Sequence, residues 1–521
     1  MQNTGKTGVD ITEHKLNGAD ESIANDERRP ESKGLYAMLS EYNGSDYYPC
    51  HMPGHKRNPQ AGDMAGYYGI DITEIDGFDN LHHAEGILRE AQRRANRLYG
   101  AEETFYLVGG STCGILSSVM TAVERGGELL MSRNCHKSVY HAAILQELDV
   151  HYYYPSMLAG YGIYDGVTAQ EIGRLLDAYP ACGAVVITSP TYEGILSDVE
   201  AVAYEVHRRD KILIVDEAHG AHLGLDDHMP RGAVAAGADL VIHSLHKTLP
   251  SMTQTALLHV QGQRVDRGRL RRYLSMLQTS SPSYVMMASM DSCIRYMEIH
   301  GAERFAFMRK QYDLFCNRIK SCKHIYIGKM TDVSCEKEQL NPYSMFGWDI
   351  GKLVIFVRDT FWSGQHLYEI LREDYHLQME MAAESYVLAI MTVMDTQAGW
   401  QRLADALVEI DGRIEEEIAQ GSAEMRGLSS WRVQQEGYAK IKTVTAMIPA
   451  RAFDKPREKV ALSGAVGRIA ADFVNLYPPG IPLLVPGEVI SAELLVQIQV
   501  SMDIGLQVQG IAPDGNIAVV V

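Results

Sequence analysis

Between residues 90 and 330 the chain alternates short apolar runs with longer segments of helical periodicity, and this alternation constrains the fold more than any other feature. The runs TFYLV, ELLMS, VHYYY, AVVIT, ILIVD and DLVIHS are separated by stretches such as ILSSVMTAVERG, KSVYHAAILQEL, TAQEIGRLLDAY and VEAVAYEVHRRD. In those stretches apolar residues return every three or four positions, as on one face of a helix. Short strands without polar alternation are buried on both faces, and strands joined through helices run parallel. The predicted class is α/β, with a mainly parallel sheet covered by helices on both sides.

The flanks read differently. Residues 1–33 are polar, end in DERRPESK and predict a disordered tail. Residues 34–90 form an N-terminal arm, with a short helix over GLYAMLSEY broken by Pro53, Gly54 and Pro59. The sheet domain occupies 91–330. Residues 331–521 predict a smaller α+β region, from KLVIFVRD, SGQHLYEILRED, YHLQMEM and YVLAIMTVM. That region includes a long helix over GWQRLADALVEIDGRIEEEIAQG and a further helix over SGAVGRIAADF.

Charge and cysteine usage remove whole classes of function. With 48 Lys+Arg against 66 Asp+Glu, the net charge is -18. A protein that binds nucleic acid by neutralising phosphates carries the opposite sign. The acidity serves solubility or favours cationic ligands. No apolar run reaches the roughly 18 residues of a membrane span, and MQNTGKTGVDITEHK has no apolar leader core. The 8 cysteines form no C-x-x-C pair and no histidine pattern completes a zinc set, which predicts reduced thiols in a cytoplasmic protein and no metal.

Three places carry chemistry. Gly109-Gly110-Ser111-Thr112-Cys113-Gly114 lies between a strand and a helix. Free N–H groups at a helix start, with two hydroxyls, make a phosphate cup; a purely structural turn has the same composition. Asp216 ends the apolar run KILIVD. It either faces the crevice where open α/β sheets bind ligands or is a solvated loop acid. Lys247 follows the next run, in SLHK, where the plain reading is a surface amine. Together, a phosphate cup, then an acid, then a lysine meet the needs of pyridoxal phosphate (PLP), which requires a phosphate cradle, a partner for its ring nitrogen and a Schiff-base lysine.

The sequence also resembles the ornithine/lysine/arginine decarboxylases, fold-type-I PLP enzymes built like aspartate aminotransferase. The resemblance rests on HMPGHK at 51–56, GGST at 109–112, NCHKS at 134–138, SPTYEG at 189–194, DEAHGAH at 216–222, SLHKTLPSMTQ at 244–254, TSSPSY at 279–284 and YPPGIPLLVPGE at 477–488. It covers nearly everything after residue 34. It is nearest to the shorter bacterial members, since residues 1–33 are too few for an N-terminal receiver-like domain. The resemblance implies that Lys247 forms the Schiff base, Asp216 pairs with the pyridine nitrogen, His136 stacks on the ring and His219 lies near the ring hydroxyl or the Schiff base. It assigns the phosphate to Ser111, Thr112, Ser244 and His246, and to Thr279 or Ser280 of a neighbouring subunit in a homodimer. The implied reaction is loss of CO₂ from arginine or lysine, with ornithine third. The alternatives are an aminotransferase or other PLP lyase on the same fold, or a catalytically silent homologue. A basic substrate needs a carboxylate for its distal cation, and the candidates are Glu488, Glu74, Asp76 and Asp79; each also reads as a solvated acid or a helix cap.

Overall fold

In the computed structural model, which describes residues 33–158, 161–329, 346–420, 442–477, 481–503 and 507–521, the apolar runs form one seven-stranded sheet. The tail expected over 1–33 lies outside the described residues except for Lys33. The strands are β1 (Glu103–Leu107), β2 (Glu128–Ser132), β3 (Asp149–Tyr153), β4 (Cys182–Thr188), β5 (Ile212–Asp216), β6 (Leu240–Ser244) and β7 (Ala256–Val260). Their order across the sheet is β1-β7-β6-β5-β4-β2-β3. The pairs β3–β2, β2–β4, β4–β5 and β5–β6 are parallel, whereas β7 is antiparallel to both β6 and β1. The exception has a simple cause. A parallel return needs a crossover of a dozen or more residues, and the link Leu245–Thr255 is too short to supply one.

Alternate residues of each strand feed different cores. Leu129, Met131, Ala184, Val186, Ile214 and Ile242 pack on one face. Leu130, Val185, Ile187, Leu213, Val215 and Val241 pack on the other. Helices cover both, as strands apolar on each side require. The helix Gly110–Ala122 lies close on the sheet because Gly114 has no side chain; a Cβ there would stand 2.6 Å from Leu107 Cδ1.

The helix Tyr284–Ile319, capped by the Ser283 hydroxyl accepting the Met286 N–H, runs for 36 residues. Near its start the buried Asp291 carboxylate accepts the Leu35 N–H at 2.8 Å and pairs with Arg94 at 3.1 Å. That contact ties the N-terminal helix Leu35–Asn43 and the helix Ile87–Tyr99 to the long one. Beyond it, β8 (Ile325–Ile327), β9 (Lys352–Val357), β10 (Met381–Ala382) and β11 (Tyr386–Ile390) make an antiparallel sheet ordered β8-β9-β11-β10. The helix Gln397–Ala419 packs against the long helix through Trp400 on Phe315.

The helix expected over SGAVGRIAADF does not form. Leu462–Gly464 is a single tight turn, Gly467 has a left-handed φ of +79°, and Ile469 and Ala470 bridge to Val489 and Val519. A left-handed residue is incompatible with a continuing right-handed helix. The apolar spacing serves a small mixed layer instead, around Ala465, Ala470, Val474, Ile490 and Val519.

Candidate active site

The last residues of β2, β3, β4 and β5 are Ser132, Tyr153, Thr188 and Asp216, and all four line one cavity of about 460 Å³. Parallel strands bring their carboxyl ends to a common edge, so one crevice collects residues far apart in sequence. Ser111, His136, His219 and Lys247 line the same cavity.

Asp216 is buried, and its carboxylate accepts the Ala218 N–H at 3.2 Å. Lys247 sits in the one-turn helix Leu245–Thr248 directly after β6, with Nζ 3.0 Å from Nε2 of His219. Burial lowers the Lys247 pKa, while Asp216 and Glu380 act in the opposite sense. His136 caps the helix Lys137–Leu145, its Nδ1 facing the Ser138 hydroxyl at 2.8 Å and the Ser138 N–H at 3.3 Å. Burial, with Lys247 adding to it against Asp216, lowers the His136 pKa and keeps the ring neutral. A neutral ring held at its edge is suited to lie flat against an aromatic cofactor.

Of the residues expected to hold a phosphate, Ser111 lines the cavity, whereas Thr112, Ser244 and His246 do not. Gly110 opens the helix Gly110–Ala122 with φ +73°, so the helix start presents bare N–H groups beside Ser111. Thr112 is exposed in the same turn. The Ser244 and Thr188 hydroxyls are buried with no hydrogen-bond partner. Buried hydroxyls without partners are rare unless a ligand or water satisfies them. His246 donates from Nδ1 to the Thr255 carbonyl at 3.0 Å, which orients its ring. Thr279 and Ser280 are exposed and do not line this cavity; the Thr279 carbonyl contacts His82 Nε2 at 2.8 Å. An amine, a buried carboxylate, a neutral ring, a helix start and the partnerless Thr188 hydroxyl around one space fit PLP.

The acids selected for the substrate lie elsewhere. Glu488 is buried and accepts Arg133 through two bonds, Nε–Oε1 at 3.1 Å and Nη2–Oε2 at 2.8 Å, together with the Val485 N–H at 2.8 Å. Asp79 caps the helix Ile87–Tyr99, accepting the N–H groups of Gly86 at 2.7 Å and Leu88 at 3.1 Å. Asp76 is exposed, and neither it nor Glu74 lines the cavity. Besides Asp216, the acids that do line it are Asp165, Glu193 and Glu380, beside Tyr153, Tyr164 and Tyr192. Glu193 accepts the Tyr386 hydroxyl at 3.0 Å, and Tyr192 donates to Glu380. Lys352, on β9, was also missed; it is almost fully buried, with Nζ 2.8 Å from His219 Nδ1. Its one signal in the sequence is a lysine heading a wholly apolar strand. Glu193 stood within SPTYEG but without an assigned role.

Comparison with known proteins agrees with this geometry. Residues 33–394 match the major domain of the Orn/Lys/Arg decarboxylases, and residues 431–513 match their C-terminal domain. The chain is 31% identical to an arginine decarboxylase of Bacillus anthracis, over 91% of this chain and 94% of that enzyme. It is 34% identical to the Bacillus subtilis protein YaaO, over 91% and 95% of the two chains. Among solved structures, the Francisella novicida lysine decarboxylase LdcF superposes with a TM-score of 0.79 at 18% identity, covering 94% of this chain and 81% of that one. No helix among the described residues is long and apolar enough to cross a membrane. The chain therefore belongs to the Orn/Lys/Arg decarboxylase family and is a PLP-dependent amino acid decarboxylase of the fold-type-I class.

Proposed function

We propose that this enzyme decarboxylates a basic amino acid, arginine ahead of lysine and ornithine third, releasing the corresponding amine and CO₂. The observation that carries the reading is the wall of the Lys247–Asp216 cavity: beyond the cofactor residues it holds Asp165, Glu193 and Glu380. A cationic side chain fits such a wall, and the relative named arginine decarboxylase supports the ranking.

When bound, PLP supplies the electron sink for the bond broken at the substrate α-carbon. The chain's own residues do the rest. Lys247 anchors the cofactor, and Asp216 keeps a proton on the ring nitrogen through its negative charge. His136 covers one ring face, while Ser111, Thr112, Ser244 and His246 hold the phosphate. Thr279 or Ser280 of a neighbouring subunit completes it in a homodimer. His219 stands next to Lys247, where a proton must leave and return. Glu380 is exposed on this wall, and Glu193 is buried deeper. By holding the distal cation they would fix the orientation of the substrate α-carbon, and orientation selects decarboxylation over transfer of the amino group.

The test is direct. PLP and arginine, lysine or ornithine are supplied separately, and the products are identified. Agmatine with CO₂ from arginine, formed faster than amine from the other two, is the expected result. A keto acid, formed only with an amino acceptor, would identify an aminotransferase; no amine from any of the three refutes the substrate class.

A further inference from the structure

His219 carries a lysine on each ring nitrogen, with Lys247 Nζ 3.0 Å from Nε2 and Lys352 Nζ 2.8 Å from Nδ1. Lys352 reaches this position from β9 because Gly194 leaves room for it. A Cβ on Gly194 would stand 2.7 Å from Lys352 Cβ and Cγ, and its φ of +94° also favours glycine. Lys352 is 2% exposed, a burial that lysine almost never shows without a partner.

The protonation of this chain follows from what each group can do. A neutral imidazole has one N–H and one bare nitrogen. An ammonium only donates, so it must face the bare nitrogen, and a single lysine can be in that position. The other lysine faces the ring N–H and must offer a lone pair as a neutral amine. Burial, with positive charge on the flanking lysines adding to it, holds the His219 pKa well below the ordinary range, so the ring is neutral. Burial, with the Lys247 charge adding to it against Asp349, Glu380 and Glu193, brings Lys352 down to about 8. Lys247 is faced by Asp216 and Glu380, and its charge is also felt at His136 and His246. The two amines therefore share one proton through the ring.

We propose that Lys352 is the proton store of this site, taking through His219 the proton that Lys247 must lose before its amine can add to a carbonyl, and returning it afterwards. The transfer balances without any outside reagent. A Lys247 N–H bond breaks as Nε2–H forms, and Nδ1–H breaks as a new N–H forms on Lys352. Lys352 does not line the cavity; it acts by positioning a proton. The proposal rests on Lys247 being the cofactor-anchoring lysine, and it is tested without substrate, so failure to decarboxylate any basic amino acid leaves it standing.

The test measures the reactivity of Lys247 toward trace acetic anhydride against pH, in the full-length chain freed of PLP, with quantitation by peptide mass spectrometry. A shared proton gives two macroscopic steps. Wild-type reactivity should rise below the ordinary lysine range, level off, and rise again. Lys352→Met removes the store, so Lys247 should acylate about tenfold more slowly at pH 8, along a single step at higher pH. Lys352→Arg supplies a permanent cation, which forces the proton onto Nε2 and holds Lys247 neutral. It should give one step at lower pH and faster reaction at pH 7. A role in packing or charge alone would instead be restored to the wild-type profile by arginine. A wild-type-like two-step profile in either variant overturns the proposal. So does a single step in the wild type, which needs no variant to fold.

Discussion

Glu488→Gln separates a structural role for this acid from a role in substrate binding. The Glu488 side chain is 1% exposed and that of Arg133 is 10% exposed, so solvent screens their pairing little. Arg133 also donates to the Pro482 carbonyl at 2.7 Å, the Leu483 carbonyl at 3.2 Å and the Tyr140 hydroxyl at 3.2 Å. The guanidinium is therefore held in place when its anion is removed, and the charge stays buried. Removing one partner of such a pair costs about 3–5 kcal/mol. At about 1.4 kcal/mol per factor of ten, the opening equilibrium of the C-terminal layer should increase by two to three and a half orders of magnitude. Hydrogen exchange measures this directly at the amides of Ala470, Ala471 and Val520, whose partners are the carbonyls of Glu488, Ala518 and Ile469. KM for the amino acid should be unchanged. Unchanged exchange together with a raised KM would show that Glu488 faces the substrate, and the argument from the Arg133 geometry would fail. Arg133→Met in the Glu488→Met background should remove the cost of the unpaired charge but recover only part of the stability, because the Pro482 and Leu483 carbonyls each lose a donor at about 1–3 kcal/mol.

Other expectations follow from the same geometry. Lys247→Ala should lose the visible absorbance of bound PLP and reduce activity to background; retention of both would exclude it as the cofactor lysine. Glu380→Gln should raise KM for arginine about tenfold or more, as expected for loss of a charge-assisted contact of 1.5–3 kcal/mol, with a smaller effect on melting temperature; an unchanged KM would place the distal cation elsewhere. Gly194→Ala should destabilise by about 1–3 kcal/mol in denaturant unfolding, because its methyl meets Lys352 at 2.7 Å. Acid should weaken the fold through buried neutral histidines. Burial holds His219 and His259 well below the ordinary histidine value, by Lys352 and Lys247 in addition for the first and by His243 for the second. Their stabilisation is present above about pH 6.5 and is lost as the pH falls below it, since only the unfolded rings then take up protons. Two rings give a slope approaching 2.7 kcal/mol per pH unit, and His259→Gln should remove about half of it in urea titrations at several pH values.

The sequence by itself determined the mainly parallel sheet and set Asp216 and Lys247 at the ends of its strands, and the reason is local. Strands such as ILIVD and LVIHS must be buried on both faces, so a mainly parallel sheet with their carboxyl ends on one edge follows from the alternation with helices, whereas the strand order came from the tertiary structure. Asp216 and Lys247 are fixed to those ends by adjacency along the chain. The glycine turn at 109–114 is likewise a local feature, because a strand, a turn and a helix start are consecutive in sequence. Tertiary structure decided the rest. Lys352 meets His219 from a different sheet, 133 positions away in the chain, and a glycine at 194 opens the way. Glu488 and Arg133 are 355 residues apart; once that pair closed, an acid that looked available to a substrate became part of the core. Asp79, a substrate candidate that also read as a helix cap, went to a helix start, and Glu380, which had no role assigned from sequence, lines the cavity. A carboxylate's role depends on which cation or N–H groups surround it. Along a strand or turn the covalent chain supplies those neighbours, and across domains only packing does.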